Sequence, residues 1–358
     1  MCNIAGYSGN RRAAPILIEM LRREQFMDGG LSTGIATIHE GKLYSAKVLG
    51  DVDELLRSTD ALHFPGNCGI IHSRPAGNLR SHAHPFLDED ECCAVVLNGT
   101  MRGVGVPEFY EKSNRMIRPF YERGCVRTAY LPKKEPKRIL PDGRSYHASE
   151  IYALLMGEQM KKNGCTEESA ACALRYVFSE FPADIVVLSV HAAIPDTITF
   201  GTVSRPVCVG IAPEETYLAT TALAFPEDAG IETVLPLPTC TIAQATPGKL
   251  NISGKKPRGV RVENISHRAA KIAYERLERI LSGQKNDPKS IYDIPVYREW
   301  RDLWSEPLVD CQYCKEGDML KPTASLFYEA LWSFHKEGRL RGVLGEYKGR
   351  RIVKFWLD

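Results

Sequence analysis

Two hydrophobic periods alternate along the chain. Cys2–Ser8 is a weakly alternating apolar run that stops at Gly9-Asn10, the pattern of a buried strand. Residues 15–26 (PILIEMLRREQF) carry apolar side chains at helical spacing with charges on the other face, and Pro15 suits a first helical turn. Residues 34–39 and 43–48 flank "EGK", a hairpin signal, and 51–62 has the length and spacing of a short helix. "CGIIHSR" (68–74) and "CCAVVLNGT" (92–100) read as strands joined by a polar loop. Helical spacing returns over 107–124, 148–162 and 166–180, with a Pro- and Lys-rich excursion between the first two. Four short β-rich runs at 185–191, 197–203, 207–211 and 216–219 then predict an antiparallel meander, and residues 234–252 add one or two edge strands.

This order of strand, helix, strands, helices, strands favours two sheets sandwiched with helices over a wound βαβ fold. From Ser253 the pattern changes again. "SGKKPRG" reads as a linker, 266–282 is a strongly amphipathic helix with a Ser cap, 323–336 is a second helix, and "GVLGEYKGRRIVKFWL" closes as a hairpin about Lys348-Gly349. Helix, helix and basic hairpin have the outline of a winged helix. The expected division is therefore a domain over residues 1–252 and a small helical, winged-helix-like unit over 253–358.

Length and composition add little to that picture except through charge and cysteine. The 358 residues carry a net charge of only +2. Residues 251–358 hold 21 Lys and Arg against 15 Asp and Glu, net +6, while residues 1–250 hold 25 against 29, net −4. Eleven cysteines without framework spacing, and no signal-peptide pattern, predict free thiols in a reducing compartment, the cytoplasm. No apolar run approaches the about 18 residues of a membrane span.

The chemistry is in Cys2. Taken alone it is a small apolar residue at a strand start. Cysteine is also small enough for an aminopeptidase to remove Met1, and a residue carrying both thiol and α-amine holds nucleophile and base together. The amine, with an ordinary pKa of about 7.7–8.0, can accept the thiol proton near neutrality. Three further stretches stand in order behind "MCNIAGY": "GIIHSRPAGN", "HAHPF" and "VVLNGTM". Together with "HAAIPDTITFGTVSRPVCVGIAPEETYLATTALAF" they resemble the glutaminase domain of the class II glutamine amidotransferases, nearest to that of glucosamine-6-phosphate synthase, over about residues 1–252. The resemblance implies an α+β, four-layer αββα N-terminal nucleophile hydrolase fold. It also implies Cys2 as nucleophile, Asn98 and Gly99 as oxyanion donors, Arg74 as the grip on the substrate α-carboxylate, and His72, Ser149 and Glu150 as the remaining substrate-side positions. Asn98-Gly99 is equally a hairpin-turn signal, and His72 equally a satisfied strand histidine. His82 and His84, spaced i,i+2, lack a third metal ligand nearby, and Cys311-x-x-Cys314 is a single pair where zinc needs four ligands, so neither metal nor cofactor is expected.

The sequence also departs from the family's pattern. Met27 or Asp28 falls where an arginine follows the first helix, Ala148 where an acid binds the substrate amine, and Pro75 and Gly77 where side chains line the pocket. Three functions follow. The first is a glutaminase whose ammonia passes to a separate synthase. The second is an amidohydrolase of γ-glutamyl or related amides using the same Cys2. The third is a regulatory protein binding nucleic acid through Lys348, Arg350, Arg351 and Lys354, the alternative being a solvated hairpin face.

Overall fold

The structure, a computed structural model, describes residues 2–100, 107–133, 137–253, 261–304 and 319–358. Its first part is built on two antiparallel sheets. The seven-stranded sheet runs β11 (Thr233–Pro236), β9 (Cys208–Ala212), β10 (Glu215–Ala219), β1 (Asn3–Ser8), β4 (Cys68–Arg74), β2 (Ser32–His39), β3 (Lys42–Leu49). The six-stranded sheet runs β13 (Lys249–Ser253), β12 (Thr241–Thr246), β8 (Ile198–Thr202), β7 (Asp184–His191), β6 (Cys93–Thr100), β5 (Phe86–Leu87).

Three cores stack these sheets. Between them lie Ile4, Ile38, Ile70 and Leu218 from the first sheet and Val96, Val186, Leu188 and Phe200 from the second. Behind the first sheet, α1 (Ala13–Asp28) and α2 (Val52–Ser58) supply Leu17, Met20, Leu21, Val52 and Leu55 against Ile35, Ile71 and Tyr217. Behind the second, α4 (Glu150–Lys162) and α5 (Glu167–Glu180) supply Ile151, Leu154, Leu174, Val177 and Phe178 against Val95, Leu97, Ile185 and Val187; α3 (Pro107–Glu122) adds Ile117 and Phe120 to this core. Neighbours in sequence point to opposite faces, Ile70 inward and Ile71 outward, Val95 outward and Val96 inward. A strand apolar on both faces reads as a continuous run, which is why "GII" and "AVVL" lack a clean alternation.

Two elements differ from the sequence expectation. The helix expected over 51–62 stops at Ser58, because Thr59 Oγ1 donates back to Leu55 O at 2.7 Å and a separate short turn follows. The stretch 234–252 forms not one or two strands but parts of three, β11 edging the first sheet and β12–β13 the second.

Residues 261–358 contain β14 (Arg261–Val262) paired in parallel with β15 (Met319–Leu320), α6 (His267–Leu281), a short α7 (Val296–Glu299), α8 (Thr323–Lys336) and the hairpin β16 (Leu340–Tyr347) and β17 (Arg350–Leu357). Ser266 caps α6 through Ala269 N–H at 3.1 Å. The hairpin turns at Lys348 and Gly349, both at positive φ (49° and 77°), the geometry that matches the twist of two-residue hairpins. A fourth core gathers Leu277, Leu281, Trp300, Leu331, Phe334, Phe355 and Leu357. Met27, from the last turn of α1, is buried in that same core. Among the described residues no helix is long and apolar enough to cross a membrane.

Candidate active site

The start of β1, the end of β4 and the end of β6 bring Cys2, Arg74 and Asn98 to one end of the sandwich. The Cys2 main chain is held at two points by one side chain. Cys2 N–H donates to Asn98 Oδ1 at 3.1 Å, and Asn98 Nδ2 donates to Cys2 O at 2.6 Å. Asn98 itself is fully buried.

The sequence left Asn98-Gly99 open between turn and catalytic pair; here both lie inside β6, opposite Val186 and Ile185 of β7. Gly99 has φ +122°, and a Cβ there would stand 2.1 Å from Asp184 O. Only glycine fits, since an L side chain would carry both backbone strain and a clash with a main-chain oxygen. Burial pushes the Cys2 thiol up from its ordinary value, while the chain-terminal ammonium, Arg74 and Arg205 draw it down. Arg205 is buried and paired with Asp184 at 2.5 Å.

Arg74 sits against a histidine wall. Its Nη1 donates to His82 O at 2.8 Å and lies 3.0 Å from His147 Nε2. The His147 ring stacks on Phe86, centroids 4.8 Å apart. His72 has no exposed surface, lies 3.2 Å from Leu97 O through Nε2 and packs 3.9 Å from the His84 ring. That makes it a packed strand residue behind Arg74. Ser149 and Glu150, expected at the substrate, are engaged in holding this wall. Ser149 N–H donates to His147 Nδ1 at 3.2 Å, and the Glu150 carboxylate accepts from Arg127 N–H at 2.6 Å, Thr128 N–H at 3.3 Å and the Thr128 hydroxyl. Lys47 anchors the loop after Arg74, donating to Ser81 O, Ala83 O and Pro85 O at 3.3, 3.0 and 3.2 Å. Burial lowers its pKa to about 8.

His82 reaches Thr128 O at 3.2 Å, and neither ring nitrogen of the buried His84 has a partner. Among the described residues no group of His, Cys, Asp and Glu is arranged to hold a metal. The nine described cysteines are free thiols, and Cys311-x-x-Cys314 lies outside the described residues.

Burial first, with Arg74 adding to it, keeps these rings neutral: His72 falls to about 3, and His82, His84 and His147 are lowered too. In the unfolded chain they protonate near pH 6.5. Between about pH 6.5 and 3 the unfolded state therefore holds a proton that His72 lacks, and stability must fall as pH falls, by up to about 1.4 kcal/mol per pH unit from this ring, with His82, His84 and His147 acting in the same direction. Thermal midpoints measured from pH 7.5 to 5 are expected to drop steeply. His72→Asn, which keeps a donor toward Leu97 O, should flatten the slope; a flat profile in the parent protein would contradict the neutral cluster.

No family model matches the chain. It is 30% identical over 228 residues to glutamine–fructose-6-phosphate aminotransferase (isomerizing) of Pyrococcus horikoshii, covering 63% of this chain and 33% of that protein. It is 26% identical over 231 residues to the protein of that name from Chlamydia abortus, covering 63% and 32%. Among solved structures, glutamine phosphoribosylpyrophosphate amidotransferase from B. subtilis superposes with a TM-score of 0.53 at 16% identity, over 78% of this chain and 58% of that one. The chain resembles the class II glutamine amidotransferases, with the N-terminal nucleophile hydrolase fold. It spans about a third of the length of the curated relatives it matches.

Within that fold, sequence reasoning missed two residues beside the expected set. His147 lies two residues before Ser149, and its only signal was position. Arg205, in "TVSRPV", was a lone cation between apolar runs. An isolated charge flanked by buried strand residues implies a buried partner, and that signal was legible.

Proposed function

We propose that this protein hydrolyses the side-chain amide of glutamine through Cys2, giving glutamate and ammonia, and that a separate synthase takes up the ammonia. The observation that carries this reading is the two-point clasp of Asn98 on Cys2. Removal of Met1 turns the nitrogen held by Asn98 Oδ1 into the α-amine, which takes the thiol proton as sulfur attacks the amide carbon. Asn98 Nδ2 has two protons. One goes to Cys2 O, and the other serves the tetrahedral oxyanion alongside the Gly99 N–H. The ammonium returns its proton to the leaving nitrogen, ammonia departs, and water, deprotonated by the same amine, cleaves the thioester. Arg74, with a planar guanidinium set by His82 O and His147, receives the substrate α-carboxylate. His72, Ser149 and Glu150 act behind it, keeping the Arg74 wall in place. We take residues 1–252 as the glutaminase domain and 253–358 as the helical, winged-helix-like unit.

Incubation with glutamine, reading glutamate and ammonia together, tests the reading. Equal release of both supports it. Silence with glutamine but turnover of a γ-glutamyl amide would move the assignment to the amidohydrolase alternative. Arg74→Lys is expected to raise KM for glutamine about tenfold or more while kcat changes less, because a point charge replaces a bidentate fork; an unchanged KM would remove Arg74 from the carboxylate site. Of the four cations of the nucleic-acid reading, two are engaged within the molecule: Arg351 Nη1 is 3.1 Å from the Asp51 carboxylate with its guanidinium 4.2 Å over Phe26, and Arg350 donates to Pro75 O.

A further inference from the structure

Positions 27 and 28, where the sequence departs from the family's pattern, are both taken up by the C-terminal segment. Met27 is an apolar member of the core built by α6, α8 and the hairpin. Asp28 is buried at the C-terminal end of α1, the negative end of the helix dipole, where a carboxylate needs a donor. Tyr292 Oη provides it, donating to Asp28 Oδ1. On its other side Asp28 N–H donates to Asn3 Oδ1 at 3.2 Å, and Asn3 adjoins Cys2.

The Tyr292 ring is itself fixed. It stacks on Tyr347 at 4.9 Å and 13°, and the Arg350 guanidinium lies 5.1 Å from its centroid. Arg350 Nη1 then donates to Pro75 O at 3.2 Å, the residue after Arg74. One stack of three side chains from residues 292–350 thus touches both walls of the site, the Cys2 side through Asp28 and Asn3 and the Arg74 side through Pro75.

We propose that the C-terminal segment sets the geometry of the Cys2 pocket in cis, with Tyr292 and Arg350 as positioning residues that fix the spacing between nucleophile and carboxylate grip. It rests on the reading of Cys2 as nucleophile and Arg74 as grip. Neither side chain is assigned contact with substrate; Arg350 acts through the main chain of Pro75, next to Arg74, and Tyr292 through Asp28, whose N–H bonds Asn3, next to Cys2. The arrangement also gives the basic hairpin a role inside the molecule.

The test uses the full-length protein with Tyr292→Phe, which keeps the ring stack and removes only the hydroxyl, and Arg350→Met, which keeps a flexible stem and removes the guanidinium. Losing one hydrogen bond of ordinary strength at a positioning residue corresponds to about fivefold. Tyr292→Phe is therefore expected to lower kcat for glutamine about fivefold at nearly constant KM, and Arg350→Met to raise KM about fivefold, with Arg350→Lys recovering part of it. Thermal midpoints are measured alongside. Parent kinetics in both variants, or losses that only track the fraction folded, overturn the proposal. A parent protein silent toward glutamine would instead overturn the glutaminase reading, so the rate of Cys2 alkylation by iodoacetamide is followed by mass spectrometry in the same samples. Tyr292→Phe is expected to speed it about fivefold as the pocket loosens, and an unchanged rate counts against the positioning role whatever the substrate.

Discussion

Cys2→Ala is expected to abolish release of glutamate and ammonia while leaving a folded protein. The thiol is the only group given covalent work, and its removal takes away the thioester path altogether. Losses of about 10⁶-fold in kcat accompany deletion of a nucleophile in hydrolases of comparable logic. The fold should survive. Cys2 precedes β1, is only partly buried, and its contacts with Asn98 are made by main-chain atoms that alanine retains. Circular dichroism and the thermal midpoint check that half of the prediction, and coupled assays for both products check the other. Substantial hydrolysis by the alanine variant would refute the nucleophile assignment. Retention of Met1, enforced by inserting a large residue between Met1 and Cys2, should silence the enzyme as well, because the base would then be a peptide nitrogen.

The second large effect is expected at Asn98. Asn98→Ala removes a fixed neutral donor from the oxyanion site, a change worth about 10²–10³ in kcat. It also releases the Cys2 main chain, since both hydrogen bonds of the clasp end on this one amide. Losing the two hydrogen bonds that tie the partly buried Cys2 main chain costs about 1 kcal/mol of stability or more, so a lower thermal midpoint should accompany the loss. Asn98→Asp separates the two roles. It retains the acceptor for Cys2 N–H but turns the donor toward Cys2 O and the oxyanion into a buried carboxylate oxygen, so the rate should stay low even where the first bond of the clasp is kept. If Asn98→Asp turned over glutamine like the parent, the oxyanion role would be lost. A kcat that fell only as far as stability did would have the same meaning.

Much of the sandwich was legible because strands buried on both faces leave dense apolar runs at regular spacing, and Ile70-Ile71 and Val95-Val96 are such pairs. The candidate site was legible through the resemblance, which implied Cys2, Arg74, Asn98 and Gly99; the reason that only glycine serves at 99, its φ and its approach to Asp184 O, is not in the letters. What stayed hidden depends on long-range pairing. Asn-Gly carries the same letters in a turn as in a strand, and only pairing with Val186 and Ile185 decides between them. His147 joins Arg74 across 73 residues, and Glu150 closes on Arg127 and Thr128 through a loop that has no periodicity to read. The contacts of the basic hairpin stayed hidden for a related reason. Charge counts give the donors, but the acceptors, Asp51 and Pro75 O, lie about 300 and 275 residues away in sequence.

Mass spectrometry of the protein after exposure to a glutamine-mimicking diazo ketone bears most directly on the account. A chain lighter by Met1, with a single adduct on the sulfur of Cys2 that excess glutamine prevents, is the predicted result. A chain that keeps Met1 and leaves Cys2 unmodified under the same conditions would contradict it.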